Sequence, residues 1–401
     1  MYNNFMQPTN QPHHQPVDIT KGHSRLDRIK LAVVSFAKKR PPKQRLAIVT
    51  GVSVGVLVFG IGALQMFGPE APEPPELPEI VSNYTPPPVE PTTKPSKLTG
   101  VQVTPELSER PITGIMIENS IDARPQAGLV DAGVVFEAIA EGGITRFLAL
   151  FQEAQPDHIG PIRSARPYYV RWAAGFDAGY THSGGSPEAL ALIGALGVKD
   201  LDHGRYAGSF DRVSNRYAPH NVYTSMARLD SLRSSLGFPA STNFTGFDRM
   251  APAPEEDTAD DTATPEAAPT ALENANSISF DISSHNYNTS YTYNAESNTY
   301  ARVMAGKPHV DERSGKQIQP SVVVALTMPY SIHPNRIHSV YGNIGSGEAI
   351  VFQNGNVIKG AWNKPSDKAE LTLTTPSGPL LLQPGQTWFT AIPSGRVSYT
   401  P

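Results

Sequence analysis

Cysteine is absent from all 401 residues. That excludes a disulfide framework, a zinc–thiolate site, an iron–sulfur cluster and a cysteine nucleophile, and it removes any thioether-linked lipid anchor. Charge-free apolar runs of membrane length are nearly missing as well; the one present is Leu46 to Phe67, 22 residues. Lysine is almost lacking between Thr99 and Arg249, where Lys199 stands alone against twelve arginines. From Met250 to Asn276 there is no basic residue at all, against seven acidic ones. The formal net charge of −4 gives no reason to expect a nucleic-acid partner.

What is present gives a topology. As a helix rising 1.5 Å per residue, 46–67 would be about 33 Å long, enough to cross a hydrocarbon core of roughly 30 Å. It follows 45 residues and exceeds a signal-peptide core of about 7–15 residues, so an uncleaved single-pass anchor in the lipid bilayer is expected. Residues 1–45 hold nine Lys/Arg against two Asp/Glu, which predicts a basic, disordered tail on the cytoplasmic side and everything after Phe67 outside. Residues 68–100 contain ten prolines, the signature of an extended polyproline II stalk. The acidic segment 250–276 reads as a second linker.

Two folded pieces remain. In 101–249, the β-rich runs Ile112–Glu118, Val134–Ala140 and Ile144–Gln152 precede helices over Ala165–Phe176, after Ser186-Pro187-Glu188, and from Thr224 or Ser225 to Leu236, which makes an α/β domain. In 277–401, nine short β-like runs, Leu380–Leu382 among them, and the Asn354-Gly355 hairpin signal predict an all-β sandwich or barrel-like domain. The fold class expected is therefore multidomain: one transmembrane helix, an α/β domain and a C-terminal all-β domain.

The arginine bias asks for what guanidinium does and ammonium does less well, bidentate pairing with carboxylate or phosphate. Arg124, Arg146, Arg163 and Arg166 fall in or beside Gly/Pro-punctuated loops, and Ser164 lies between the last two. Glu137 and Glu141 stand near them, and an unbroken strand would put both carboxylates on one face. They could be an acid/base pair or part of an internal ion-pair network. His182-Ser183-Gly184-Gly185-Ser186 ahead of a helix is either an anion-binding turn or a plain turn capped by Ser186. Ser186 with His182 or His220 as base would make a nucleophile, although Glu188 occupies the second glycine position of a nucleophile elbow. No histidine makes H-x-x-x-H or H-E-x-x-H, so neither metal nor cofactor is expected. Trp362 and Trp388 are core residues or sugar-stacking ones.

Longer strings carry a resemblance. Glu118-Asn119, Ala123-Arg124-Pro125-Gln126-Ala127-Gly128-Leu129, Glu141-Gly142-Gly143-Ile144-Thr145-Arg146, Gly160-Pro161-Ile162-Arg163-Ser164-Ala165-Arg166 and Ala218-Pro219-His220-Asn221 resemble the YerB-like bacterial lipoproteins, a two-domain family of unknown function. Tyr300-Ala301-Arg302, Gly306-Lys307-Pro308-His309-Val310-Asp311, Gly360-Ala361-Trp362 and Gly385-Gln386-Thr387-Trp388 continue it. The resemblance implies an α/β domain, a β-rich domain and an extracytoplasmic setting at the bacterial cell membrane. Members commonly carry a lipidated cysteine; here the span at 46–67 would replace it. Two functions stay open: binding an anionic cell-wall polymer or an envelope protein partner, or hydrolysing or transferring envelope glycan with Glu137 and Glu141 and His182 or His220.

Overall fold

Strands form where the apolar residues alternate or run on, and their pairing decides what each side chain faces. A computed structural model describes residues 92–251 and 273–401. The N-terminal half contains β1 (Thr113–Glu118), β2 (Val134–Glu141), β3 (Ile144–Phe151), α1 (Pro167–Gly175), β4 (Gly179–His182), α2 (Pro187–Leu196), β5 (Lys199–Asp202) and α3 (Met226–Ser235). The C-terminal half contains β6 (Ser277–Phe280), β7 (Thr289–Asn294), β8 (Thr299–Met304), β9 (Val322–Thr327), β10 (Gly345–Gln353), β11 (Asn356–Lys364), β12 (Thr372–Thr375), β13 (Thr387–Ile392) and β14 (Val397–Thr400).

Local chemistry sets the boundaries. Both central residues of the β2–β3 turn are glycines at positive φ, Gly142 at 55° and Gly143 at 80°, the tight hairpin geometry that side chains resist. Ser186 caps α2 by accepting from Ala189 N at 3.3 Å, and Ser225 caps α3 by accepting from Arg228 N at 3.3 Å. The C-terminal half is all-β as expected, but the strand expected at Leu380–Leu382 is instead a short pairing at Gly378–Pro379, and the sequence signals missed β14 and the short strands Tyr330–Ile332 and Ser339–Tyr341; in the N-terminal half they missed β4 and β5.

The long strands of the C-terminal half do not close on themselves. Parallel pairing of β13 with β2, in register from Thr387↔Val134 to Thr390↔Glu137, joins them to the α/β half. The result is one twelve-stranded sheet whose order runs β12-β11-β10-β9-β13-β2-β3-β1-β4-β5, with Gly378–Pro379 at its first edge and Glu273–Asn274 paired to β11. A second, five-stranded sheet, ending in β8-β7-β6-β14, belongs wholly to the C-terminal half. Two bodies on a linker were the expectation; the non-local pairing of β13 makes all the described residues parts of one compact unit.

Alternation along β2 splits its neighbours between two faces. Phe136 lies on the helical face, stacked between Trp172 of α1 at 4.8 Å and Phe389 of β13 at 4.7 Å. Glu137 lies on the other, against the five-stranded sheet. All six residues of β1 are buried, as both-face coverage demands.

Among the described residues no helix is long and apolar enough to cross a membrane. The span expected at 46–67 lies outside them, as do the tail 1–45, most of the stalk and most of the linker 250–276. The last residues assigned to the stalk are part of the body: Leu98 is fully buried, and Ser96 Oγ bonds Gln152 Oε1 at 3.2 Å.

Candidate functional site

Polar residues carried into a core cost free energy unless each finds a partner. Those at the inner ends of β1, β2 and β3 find theirs in a closed circuit. Glu137 Oε2 accepts from Arg302 Nη2 at 2.7 Å and from Trp388 Nε1 at 3.2 Å, and its Oε1 accepts from Thr145 Oγ1 at 3.1 Å. Thr145 Oγ1 accepts from Asn119 Nδ2 at 2.7 Å, and Asn119 Oδ1 accepts from Gln126 Nε2 at 2.8 Å. Gln126 Oε1 meets His309 Nε2 at 2.9 Å, and His309 Nδ1 meets Arg302 Nε at 3.0 Å. Four members come from the N-terminal half and two, Arg302 and His309, from the other. Arg302 sits at the inward period of β8, flanked there by Tyr300 and Met304, with its guanidinium 4.1 Å from the Trp388 ring centre and a bond to Tyr291 OH.

The circuit fixes the tautomer of His309. Arg302 Nε can only donate, so His309 Nδ1 accepts and Nε2–H donates to Gln126. Burial, with the charges of Arg302 and Arg124, holds the imidazole well below its usual pKa of 6.5. Below pH 6.5 the unfolded chain therefore takes up a proton that the folded one refuses, so the stability contributed by neutral His309 is complete above 6.5 and falls as pH drops, by up to about 1.4 kcal/mol per pH unit. His158, His203 and His338 are lowered by burial too and act in the same direction. The thermal midpoint should fall from pH 7 to pH 5, and His309→Gln should make that fall shallower; an unchanged slope would rule out His309 as its main source.

Arg124 links this core to the surface. Its Nε donates to Asn119 Oδ1 at 3.0 Å and its Nη2 to the backbone oxygens of Asn119 at 3.0 Å and Asn286 at 2.8 Å, while the guanidinium lies 5.1 Å from the Tyr287 ring centre. No carboxylate pairs with it among the described residues. It lines a pocket of about 560 Å³ together with Ile121, His285, Lys307, Pro308 and the edge of His309, and none of the lining residues is acidic. Burial lowers the Arg124 pKa from its ordinary value, but guanidinium keeps its proton. The Nη1 donors left on Arg124 and a lysine on an acid-free wall suit a carboxylate or phosphate. Both nitrogens of His309 are committed, which leaves His285 as the other imidazole of that wall.

The residues singled out in the sequence do not converge. Arg124 is in the pocket and Glu137 in the buried circuit. Glu141 was expected on Glu137's face; the β-bulge between Ile139 and Glu141 turns it to the opposite one, where it pairs with Arg146 and Arg166. Burial pushes the Glu141 carboxyl up, and the two arginines outweigh it and hold it below the usual range. A glycosidase needs its two carboxyls facing one gap; these face away from each other, each tied to arginine. Ser164 contributes its carbonyl to Arg146 Nη1 at 2.8 Å. Arg163 pairs with Glu118 at 3.1 Å, and His220 Nδ1 lies 3.0 Å from the same carboxylate. His182 is fully buried between Asp200 at 2.9 Å and the Gly184 carbonyl at 2.8 Å. The Ser186 hydroxyl serves as the α2 cap, and the nearby serine–histidine contact is Ser183 Oγ to His203 Nδ1 at 3.1 Å. Trp362 and Trp388 are core residues, each at most 1 % exposed. No cluster of three metal-ligating side chains occurs among the described residues.

Sequence reasoning missed Lys307 and His309 as partners of Arg124. A cation in the turn after β8 was the available signal, but 183 residues separate His309 from Gln126.

Comparison with known proteins adds two kinds of likeness. Residues 98–238 match the family described as "Protein of unknown function (DUF3048) N-terminal domain", and residues 278–389 match its C-terminal domain. "Putative lipoprotein YerB" of Bacillus subtilis is 30% identical over 273 residues, covering 66% of this chain and 76% of that protein. The crystal structure of the YerB protein from Bacillus subtilis superposes with a TM-score of 0.67 at 26% identity, over 76% of this chain and 99% of that one.

Proposed function

The chain belongs to the YerB-like DUF3048 family, whose activity is unknown, and from that premise we propose that it is an extracytoplasmic envelope protein, held at the bacterial membrane through residues 46–67, that binds an anionic group of a cell-wall polymer in the Arg124–Lys307 pocket. The relative's name, a lipoprotein, supports the setting, and the cysteine-free chain needs a span where a lipid would serve. One observation carries the binding reading: Arg124 keeps Nη1 free of hydrogen bonds among the described residues, beside Lys307, on a wall without carboxylates. The arginine bias alone does not, because Arg146, Arg163 and Arg166 are engaged by internal carboxylates and Arg233 and Arg249 by backbone carbonyls.

The test is sedimentation of the full chain with wall sacculi that keep their phosphodiester polymer and with sacculi stripped of it. The protein should pellet with the first at low salt and be released as salt shortens the screening length. Arg124→Ala should weaken binding about 10- to 100-fold, the equivalent of a charged hydrogen bond of about 1.5–3 kcal/mol, and Lys307→Ala less. Equal pelleting with stripped sacculi would turn the reading toward a protein partner.

A further inference from the structure

A short hairpin, Tyr330–Ile332 paired antiparallel with Ser339–Tyr341, belongs to neither large sheet. Its base is fixed: Tyr341 is buried, 5.0 Å from the Tyr168 ring, and its hydroxyl accepts from Ile139 N at 3.2 Å. Its tip is ordered by its own bonds, with Asn335 Oδ1 accepting from Ile337 N at 2.9 Å and His338 N at 3.1 Å. Beside the exposed Ser331, Asn335 and Arg336 it presents large aliphatic side chains to solvent: Ile332 is 62 % exposed, Ile337 59 %, Val340 40 % and the following Ile344 39 %. Register places Ile332, opposite Ser339, and Val340, opposite Ser331, on different sides of the hairpin. Such exposed residues on both sides suit a wedge entering a medium better than a face laid on a partner.

Charge narrows the medium. Residues 328–347 contain no Asp or Glu in a chain that holds 37 of them, while Arg336 and two histidines sit among the isoleucines. The acidic residues against it are Glu188, 4.0 Å from His333, and Glu141, the bridge partner of His338, whose carboxylate is already tied to Arg146 and Arg166. Aliphatic residues that can sink to acyl depth, with a cation left at headgroup level, are the composition of an interfacial membrane contact. From this we infer that the 330–344 hairpin inserts into an anionic lipid surface. The inference rests on the membrane tether proposed above, which would confine the body near a bilayer and make a weak interfacial contact effectively intramolecular.

The experiment uses the full chain in vesicles of anionic phospholipid carrying an acyl-chain nitroxide. Trp172, Trp362 and Trp388 are at most 1 % exposed and lie inside the protein core, so the wild type supplies the unquenched baseline. Ile337→Trp should add emission that the lipid quencher reduces at least twofold more than the wild-type signal, less in zwitterionic vesicles, and Ile332→Asp with Val340→Asp in that background should abolish the difference. A chain that floats with the vesicles but shows no extra quenching overturns the hairpin contact alone. A chain that does not float overturns the tether, and this inference with it. Shielding of the introduced tryptophan that persists in detergent and grows with protein concentration would mean a second copy of the chain, and overturns the lipid assignment.

Discussion

Arg302→Met is expected to destabilise the protein by about 3–5 kcal/mol, the usual result of removing one partner from a buried ion pair. Glu137 and Arg302 both have wholly buried side chains, so the carboxylate left behind would have no water to turn to. Trp388 Nε1 and Thr145 Oγ1 would still donate to it, which softens the loss without replacing a full charge. Since whole domains are held by roughly 5–15 kcal/mol, the variant should lose a large share of its stability. Glu137→Gln should cost a similar amount from the other side, leaving the guanidinium unpaired. The informative protein is the double variant Glu137→Leu with Arg302→Met. An isolated buried pair can often be replaced by apolar residues at little cost. Here the replacement also orphans Trp388 Nε1, Tyr291 OH and His309 Nδ1, at about 1–3 kcal/mol for each buried polar group left unmade. The double variant should thus be more stable than the sum of the single losses predicts, yet short of wild type. Guanidinium unfolding followed by tryptophan emission measures it; single losses under about 1 kcal/mol would mean that water reaches the pair and the circuit is not closed.

That circuit shows what sequence could and could not disclose. The strand containing Glu137 was legible from its apolar run, and so were the helices opened by Ser186-Pro187 and Ser225, because caps and alternation are local signals. Glu137's partner was not, since Arg302 lies 165 residues away. A clue existed in Tyr300, Arg302 and Met304 sharing the buried period of one strand, since an arginine there must meet a carboxylate or carbonyls inside. Glu141 was misplaced because a single extra residue at the end of β2 reverses every later side chain, and nothing in Ala140-Glu141 announces a bulge. Of the site residues, Arg124 was found for its loop and its charge. Lys307 and His309 were not attached to it, because their proximity exists only after two halves of the chain have joined a common sheet.

The joining itself can be tested by cutting. A specific protease site placed within the acidic segment 250–276 should be cleavable without separating the products: the fragments should elute together, bind together and unfold in one transition. The seam between them is core. Val134, Val135 and Phe136 of β2 lie against Thr387, Trp388 and Phe389 of β13, and all six are buried. Arg249, on one side of the cut, donates to Gln383 O at 2.8 Å on the other, and Arg302 crosses to Glu137 at 2.7 Å. Were the halves apart, β2 and β13 would each become an open apolar strand edge, prone to pair with whatever strand came next. Each fragment expressed alone should therefore aggregate, and mixing after refolding from urea should recover the native particle. The intact linker adds an effective concentration in the millimolar range, so a seam this apolar loses little when the linker is cut at micromolar protein. Fragments that part on dilution under native conditions would make the continuous sheet untenable and restore two independent domains on a tether; in that case Arg124 and Lys307, which lie on opposite sides of the cut, could not share a fixed pocket, and the binding site proposed for them would fall with the sheet.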